Sequence, residues 1–538
     1  MTKMSPSQYF LRPDVVVEPL VSRWYAWPHM VSPATACLNV AYRYLPLMES
    51  FVSAPSAHEA ACNDPKLRGG PFVDLPASRL DEMRELITVS KHNLADMLQF
   101  GSDLRHALRL VMKNADGFSI EKYYAELPDS IKGYVELTYS LAGSPDIKVF
   151  EALLYSKNVH RPDTQSALLY QVKDDARPFA MSTPRLPSPH ALEITQPFSS
   201  EVHDFLAKLR VAPKSLDEIA QALSLPPQKT ELLLSLLTEQ RDEPPHKQVH
   251  NKTRWRYFGH ACVLVETPSG VSILLDPFVA YHREGDSTRF TLNDLPDHLD
   301  FVVLTHNHAD HVSIETLLAL RHKVGTVVVP SSGSSLADPS LRLMLESIGF
   351  KNVISLESFQ NISKDDLALT ALPFLGEHGD LDIRTKAAWL VKSGAETLLF
   401  AADSNNLEPK LYDHIKETYG AVATIFIGME CLGAPFSWSY GPYLPLAIDR
   451  KKDQSRRLNG SDFDRGLKVI QSLGCESVYV YAMGAEPWMQ FVTSIDPAEE
   501  SIPAVNAKQL VDHCLSIGLK AERLFRSHDC LHGLKLHD

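Results

Sequence analysis

The run Thr305-His306-Asn307-His308-Ala309-Asp310-His311 places three imidazoles and one carboxylate within six residues. Imidazole nitrogens and ionised carboxylates are donors for divalent first-row metals, and a set this dense can aim several ligand atoms into one small volume. His306 and His308 share one side of the locally extended chain, whereas Asp310 and His311 begin the next turn. The spacing therefore predicts two adjacent metal ions. A chance surface cluster of histidines is a poor account of it, because an apolar strand leads straight into the run.

That strand is Phe301-Val302-Val303-Leu304, a short β-branched and apolar stretch of the kind that lies buried in a layered sheet. Residues 256–266, 270–276 and 301–305 read as β-rich runs separated by turn residues. A helical stretch at 313–322 and a further strand at 326–330 follow, and this strand-helix-strand alternation predicts a layered α/β domain. Later, Leu398-Leu399-Phe400-Ala401-Ala402-Asp403-Ser404 is a strand that ends on a carboxylate.

At 538 residues the chain exceeds what one hydrophobic core normally supports. Residues 1–245 read as a mixed α+β N-terminal domain with amphipathic helices at about 78–98 and 102–114, and with irregular chain or short strands between 161 and 197. Ser215 and Glu218 stand in capping-box positions of a small helical unit that runs to 239; a packing or dimer-contact role suits the acidic chain better than DNA binding. The charged, Pro-containing stretch 240–253 reads as a linker, which places the boundary near 245 and a second domain at 246–538.

With 44% hydrophobic and 22% charged residues the composition is that of an ordinary globular protein. The formal net charge of −13, without clustered Lys and Arg, argues against a nucleic-acid partner. Seven cysteines without paired spacing indicate neither a disulfide framework nor a cysteine zinc site. There is no signal-peptide pattern and no apolar stretch approaching the ~20 residues that span a bilayer, so a cytoplasmic protein without membrane contact is expected.

Residues ~255 to ~490 resemble the metallo-β-lactamase superfamily, through the metal-binding run and through Tyr257-Phe258-Gly259-His260-Ala261-Cys262 followed by Leu275-Asp276-Pro277. The resemblance implies an αββα sandwich in the C-terminal half and makes Asp403 the carboxylate that bridges both metals. For the remaining ligand of the first metal it leaves two candidates in Gly376-Glu377-His378-Gly379-Asp380. His378 would give an ordinary hydrolase site; Glu377 would give three histidines and three carboxylates, a harder set that favours iron or manganese over zinc. The histidine expected after the strand at 477–481 is missing from Tyr481-Ala482-Met483-Gly484-Ala485-Glu486-Pro487-Trp488, so the second metal keeps open positions unless His528 or His532 reaches in.

Together with Gly428-Met429-Glu430-Cys431 and a long N-terminal region, these departures resemble a narrower family, the dinuclear-iron β-hydroxylases of nonribosomal peptide pathways typified by chloramphenicol biosynthesis. That resemblance implies two iron ions held by His306, His308 and Glu377 on one side and Asp310 and His311 on the other, with Asp403 between them. Glu377 and Asp403 are then the catalytic carboxylates. It implies O₂ and an external electron donor as co-substrates, and an amino acid, expected to be aromatic, carried as a thioester on the phosphopantetheine arm of a thiolation domain. An external reductase and a homodimer complete the implied assembly. The rival readings are a two-zinc hydrolase of an ester, amide or phosphodiester, working through a bridging water of lowered pKa, and a non-enzymatic regulator.

Overall fold

The computed structural model describes residues 7–240, 252–495 and 498–530, with the backbone of 534–535. Most of the expected linker and His532 lie outside the described residues. In the C-terminal part, two mixed sheets lie face to face. One has eight strands, in the spatial order Val353–Leu356, Val324–Pro330, Leu299–Val303, Ser272–Leu275, Val263–Glu266, Arg254–Tyr257, His528–Asp529 and Leu534–Lys535. The other has seven, running Asn361–Lys364, Leu367–Leu372, Ala388–Ser393, Glu396–Phe400, Thr424–Gly428, Ser477–Tyr481 and Lys520–Arg523.

The period-2 alternation of a strand explains why the sheets stack. In the first sheet Val263, Val265, Ile273, Leu275, Phe301 and Val303 face the second sheet, where Leu369, Trp389, Val391, Leu398 and Phe400 meet them. Their neighbours Leu264, Leu274, Val302, Val327 and Val329 point the other way, onto the helices Ile314–Leu320 and Leu341–Ser347. The outer face of the second sheet is covered by Lys410–Tyr419, Phe463–Leu473 and Ile502–Ser516. This is the αββα sandwich.

The N-terminal part holds a four-stranded antiparallel sheet, ordered Trp24–Tyr25, Val15–Val21, Gln165–Gln171 and Leu192–Ile194. Its longest helices are Leu80–Asn93 and Ala95–Asn114, which meet at Leu94 (φ −108°, ψ 21°), a break that the apolar periodicity does not disclose. The capping box of Ser215 and Glu218 opens Leu216–Ala222. That small unit is bound to the rest by the strand Gln8–Leu11, which pairs with both Lys214–Ser215 and Leu237–Thr238, so its apolar face is used in packing. No helix among the described residues is long and apolar enough to cross a membrane.

The two parts share one core. Trp24, Phe51, Phe100 and Leu104 belong to the same buried cluster as Phe258, Val302, Leu317 and Phe436. A buried ion network reinforces the seam: Glu18, fully buried, accepts from Arg185 and from Arg177, and Arg177 also donates to Glu315 of the C-terminal part at 2.7 Å. Burial alone would raise the Glu18 carboxyl, but Arg185 and Arg177 outweigh it and hold it at about 2. A carboxyl depressed by folding gives stability that is present above its unfolded value and is lost as pH falls towards 2. Removing one partner of a buried pair strands the other charge, at a cost of about 3–5 kcal/mol. Glu18→Gln is therefore expected to lower the urea midpoint at pH 7 substantially and to flatten the acid side of the stability profile. An unchanged midpoint would show that the seam does not depend on this network.

Candidate metal centre

The strand Leu299–Val303 is buried between its parallel neighbours, and beyond it Leu304 still donates to Val328 O. Thr305 then leaves the sheet, pinned on both sides: its carbonyl accepts from Ala387 N at 2.8 Å, and its amide donates to Asp276 Oδ1 at 2.7 Å. Asp276 ends the adjacent strand with a left-handed backbone (φ 38°) and is 1% exposed. Its Oδ2 accepts from the Thr305 hydroxyl at 2.5 Å and from His311 Nδ1 at 2.8 Å. Because that hydroxyl proton is committed to Asp276, Thr305 Oγ1 accepts from His306 Nδ1 at 3.0 Å. Both imidazoles thus carry their proton on Nδ1 and offer the Nε2 lone pair to the interior, as metal-bound histidines oriented by a neighbouring carboxylate do.

Three groupings of ligand atoms result, each with its atoms within 4.8 Å of one another: His306, His308 and Glu377; His306, His311 and Asp403; His260, Asp310 and His311. Asp403 therefore lies between two flanking sets. His311 Nε2 is 3.1 Å from Asp403 Oδ2, and His306 Nε2 is 3.9 Å from it. His308 turns Nδ1 to Glu377 Oε1 at 3.2 Å and leaves Nε2 to the Tyr440 hydroxyl at 3.1 Å.

The carboxylates arrive on tight backbone. Glu377 (φ 67°) follows Gly376 (φ 77°) in a loop after Leu367–Leu372, with the Gly376 carbonyl held by Lys386 Nζ at 3.1 Å. Asp403 follows Ala402 (φ 46°), whose carbonyl accepts from Gly428 N. Gly428 has to be glycine for this approach, since a Cβ there would stand 2.6 Å from Ala402 O and 3.1 Å from Asp403 Oδ1.

His378 falls in none of these groupings. Its Nδ1 lies 2.8 Å from Glu377 Oε2 and its ring packs 4.8 Å from that of His308. His528 stacks on Trp255 with centroids 4.9 Å apart, in the strand paired with Arg254–Tyr257. His260 joins a grouping although only the motif containing it, not its role, stood out in the sequence. The available signal was the Gly259-His260 pair, which carries two consecutive left-handed residues (φ 106° and 52°). A further residue, Glu430, sits near Asp403; burial, then the charge of Asp403, pushes its carboxyl up to about 8.

The electrostatics suit cations. Burial alone would raise the carboxyls of Glu377 and Asp310, but the imidazoles around them prevail and hold both well below the usual carboxylate range. Burial, and then the neighbouring His311 and His308, push His306 well down, so it is a neutral donor. His306 Nε2 and Asp403 Oδ1 are buried without a hydrogen-bond partner among the described residues. A bound metal ion would satisfy both atoms, and a set rich in carboxylates fits iron better than zinc.

Residues 10–241 match the diiron non-heme β-hydroxylase N-terminal domain, and residues 272–434 match the β-lactamase superfamily domain. The 4-amino-L-phenylalanyl-[CmlP-peptidyl-carrier-protein] 3-hydroxylase of Streptomyces venezuelae is 36% identical over 529 residues, covering 96% of this chain and 98% of that one. The chain belongs to the diiron non-heme β-hydroxylase family. The crystal structure of CmlA, a diiron β-hydroxylase from Streptomyces venezuelae, superposes with a TM-score of 0.90 at 35% identity over 98% of this chain and 99% of that one. A metal-dependent hydrolase of Koribacter versatilis is 28% identical over 114 residues, or 21% of this chain and 43% of that one. Membership of the family makes this a non-haem diiron monooxygenase, whose reaction uses O₂ and an electron donor.

In this diiron β-hydroxylase Asp276 falls in none of the ligand-atom groupings, yet it orients two candidate ligands, His311 directly and His306 through Thr305. Losing such a hydrogen-bonded support typically costs about 10–100-fold in metal affinity. Asp276→Asn should weaken iron binding by that factor, read by competition with a chromogenic chelator. Wild-type affinity in the variant would show that the Thr305 and His311 contacts do not set ligand geometry.

Proposed function

We propose that this protein β-hydroxylates an amino acid, aromatic in character, carried as a thioester on the phosphopantetheine arm of a nonribosomal peptide synthetase thiolation domain. The observation that carries the reading is the pairing of Glu377 with His306 and His308 in a chain that aligns almost end to end with a carrier-protein-dependent 3-hydroxylase. The proposed ligands are His306, His308 and Glu377 at one iron and Asp310 and His311 at the other, bridged by Asp403. Bound there, the two irons supply O₂ activation, with electrons from an external reductase.

The chain's own residues hold, orient and shield. His306 and His311 are fully buried, whereas the side chains of His308, Asp310 and Asp403 are 15%, 25% and 14% exposed, so substrate approaches from their side. Phe374 packs against His306 from within, and Tyr440 closes over His308.

The division at about residue 245 is part of this proposal: 1–245 shapes the approach and 246–538 carries the metals. Arg43 donates to the carbonyls of Trp438 and Ser439 at 2.7 and 2.9 Å, and Asn39 donates to the Tyr443 hydroxyl at 2.8 Å. The helical segment Val40–Tyr44 is a π-helix, a form often found at functional sites. It thereby fixes the segment that bears Tyr440. The proposed homodimer is read by light scattering.

The deciding comparison sets Glu377→Ala against His378→Ala. Iron content and product formation on a carrier-bound aryl amino acid should both collapse in Glu377→Ala, while His378→Ala keeps about two irons per chain. Iron loss confined to His378→Ala, or two zincs after iron-replete expression, would overturn the assignment.

A further inference from the structure

His260 stands among possible ligand atoms, but its hydrogen bonds give it a different part. Gly484 N donates to His260 Nδ1 at 3.1 Å. A neutral imidazole has one N–H, and a ring nitrogen that accepts a hydrogen bond cannot carry it. The His260 proton is therefore on Nε2, which faces Asp310 Oδ2 at 3.3 Å. Apart from that approach His260 Nε2 is without a hydrogen-bond partner among the described residues, and the residue is 2% exposed. This is the reverse of His306 and His311, whose Nδ1 atoms face oxygen acceptors outside the centre and whose Nε2 atoms are turned towards Asp403.

The tautomer is built into the backbone. His260 O accepts from Ala482 N at 2.8 Å, so the turn after Ser477–Tyr481 holds both the carbonyl and the ring of His260. Ala482 (φ 54°) and Gly484 (φ 61°) turn in the left-handed region, as His260 itself does. Gly259 allows the turn, since a Cβ there would stand 2.7 Å from the Trp488 ring. At the strand end where a metal-binding histidine was expected, a backbone N–H faces His260 instead.

We propose that His260 is a positioning residue, a hydrogen-bond donor that holds one oxygen of Asp310 and leaves the other to the second metal position, so that Asp310, His311 and Asp403 are the protein ligands there. The proposal rests on the diiron reading above. It also accounts for how the second position keeps open sites although a third imidazole is close by: Gly484 spoils that imidazole as a ligand.

The test is iron titration of metal-free full-length wild type, His260→Gln and His260→Ala, with the Mössbauer spectrum of each loaded protein. Glutamine can accept from Gly484 through Oε1 and donate to Asp310 through Nε2, but it replaces an imidazole ligand poorly. Both variants are expected to bind two irons. His260→Ala should weaken the second iron by about 10–100-fold, in line with loss of an outer hydrogen bond, and alter one of the two iron signals; His260→Gln should restore both towards wild type. Loss of one iron in both variants would make His260 a ligand and overturn the proposal. Wild-type affinity and spectra in His260→Ala would overturn it equally. A wild type that binds no pair of irons would refute the diiron reading instead, so the two failures are separable.

Discussion

The metal centre depends on one buried carboxylate that touches no metal position. Asp276 takes three donors, the Thr305 amide, the Thr305 hydroxyl and His311 Nδ1, and through them sets the tautomers of two imidazoles that start from different points of the loop. A fully buried carboxylate is expensive unless its lone pairs are used. Here each contact that offsets burial also orients a candidate ligand. The sandwich exists around this point: strands Ser272–Leu275 and Leu299–Val303 pair in parallel, which brings Asp276 beside Thr305.

The same logic extends outwards. Loops at the ends of Leu367–Leu372, Glu396–Phe400 and Ser477–Tyr481 converge on the centre from the second sheet, and each does so through left-handed backbone at Glu377, Ala402 and Ala482. Such residues cost of order 1–3 kcal/mol apiece and persist where the surroundings over-determine them. The interleaved core and the Lys386, Gly428 and Tyr481 contacts supply that determination. The N-terminal part contributes by the same means, gripping the Tyr440 segment through backbone carbonyls while sharing its apolar core with the first sheet.

Local pattern reveals the elements whose information is local. The buried strand before Thr305, the ligand run itself and the Ser215 capping box are each contained within a few residues, and the alternation of strand and helix is enough to indicate a layered fold. The role of His260 is not local: its tautomer is fixed by a glycine amide 224 positions away. Nor does an amphipathic helix announce its partner. The faces of Leu80–Asn93 and Ala95–Asn114 read as ordinary core, and only the fold shows that this core continues beneath the first sheet. Sequence poses the choice between Glu377 and His378 without deciding it, because adjacent residues separate only once the loop's left-handed turn is known.

The central claim is that these ligands serve oxygenation rather than hydrolysis. It is tested most directly by reducing the iron-loaded protein, adding isotopically heavy dioxygen in ordinary water with an aryl aminoacyl carrier protein, and weighing the released amino acid. The account predicts a hydroxylated product whose new oxygen is the heavy isotope. An unhydroxylated amino acid released from the carrier, or a hydroxyl oxygen taken from water, would contradict it.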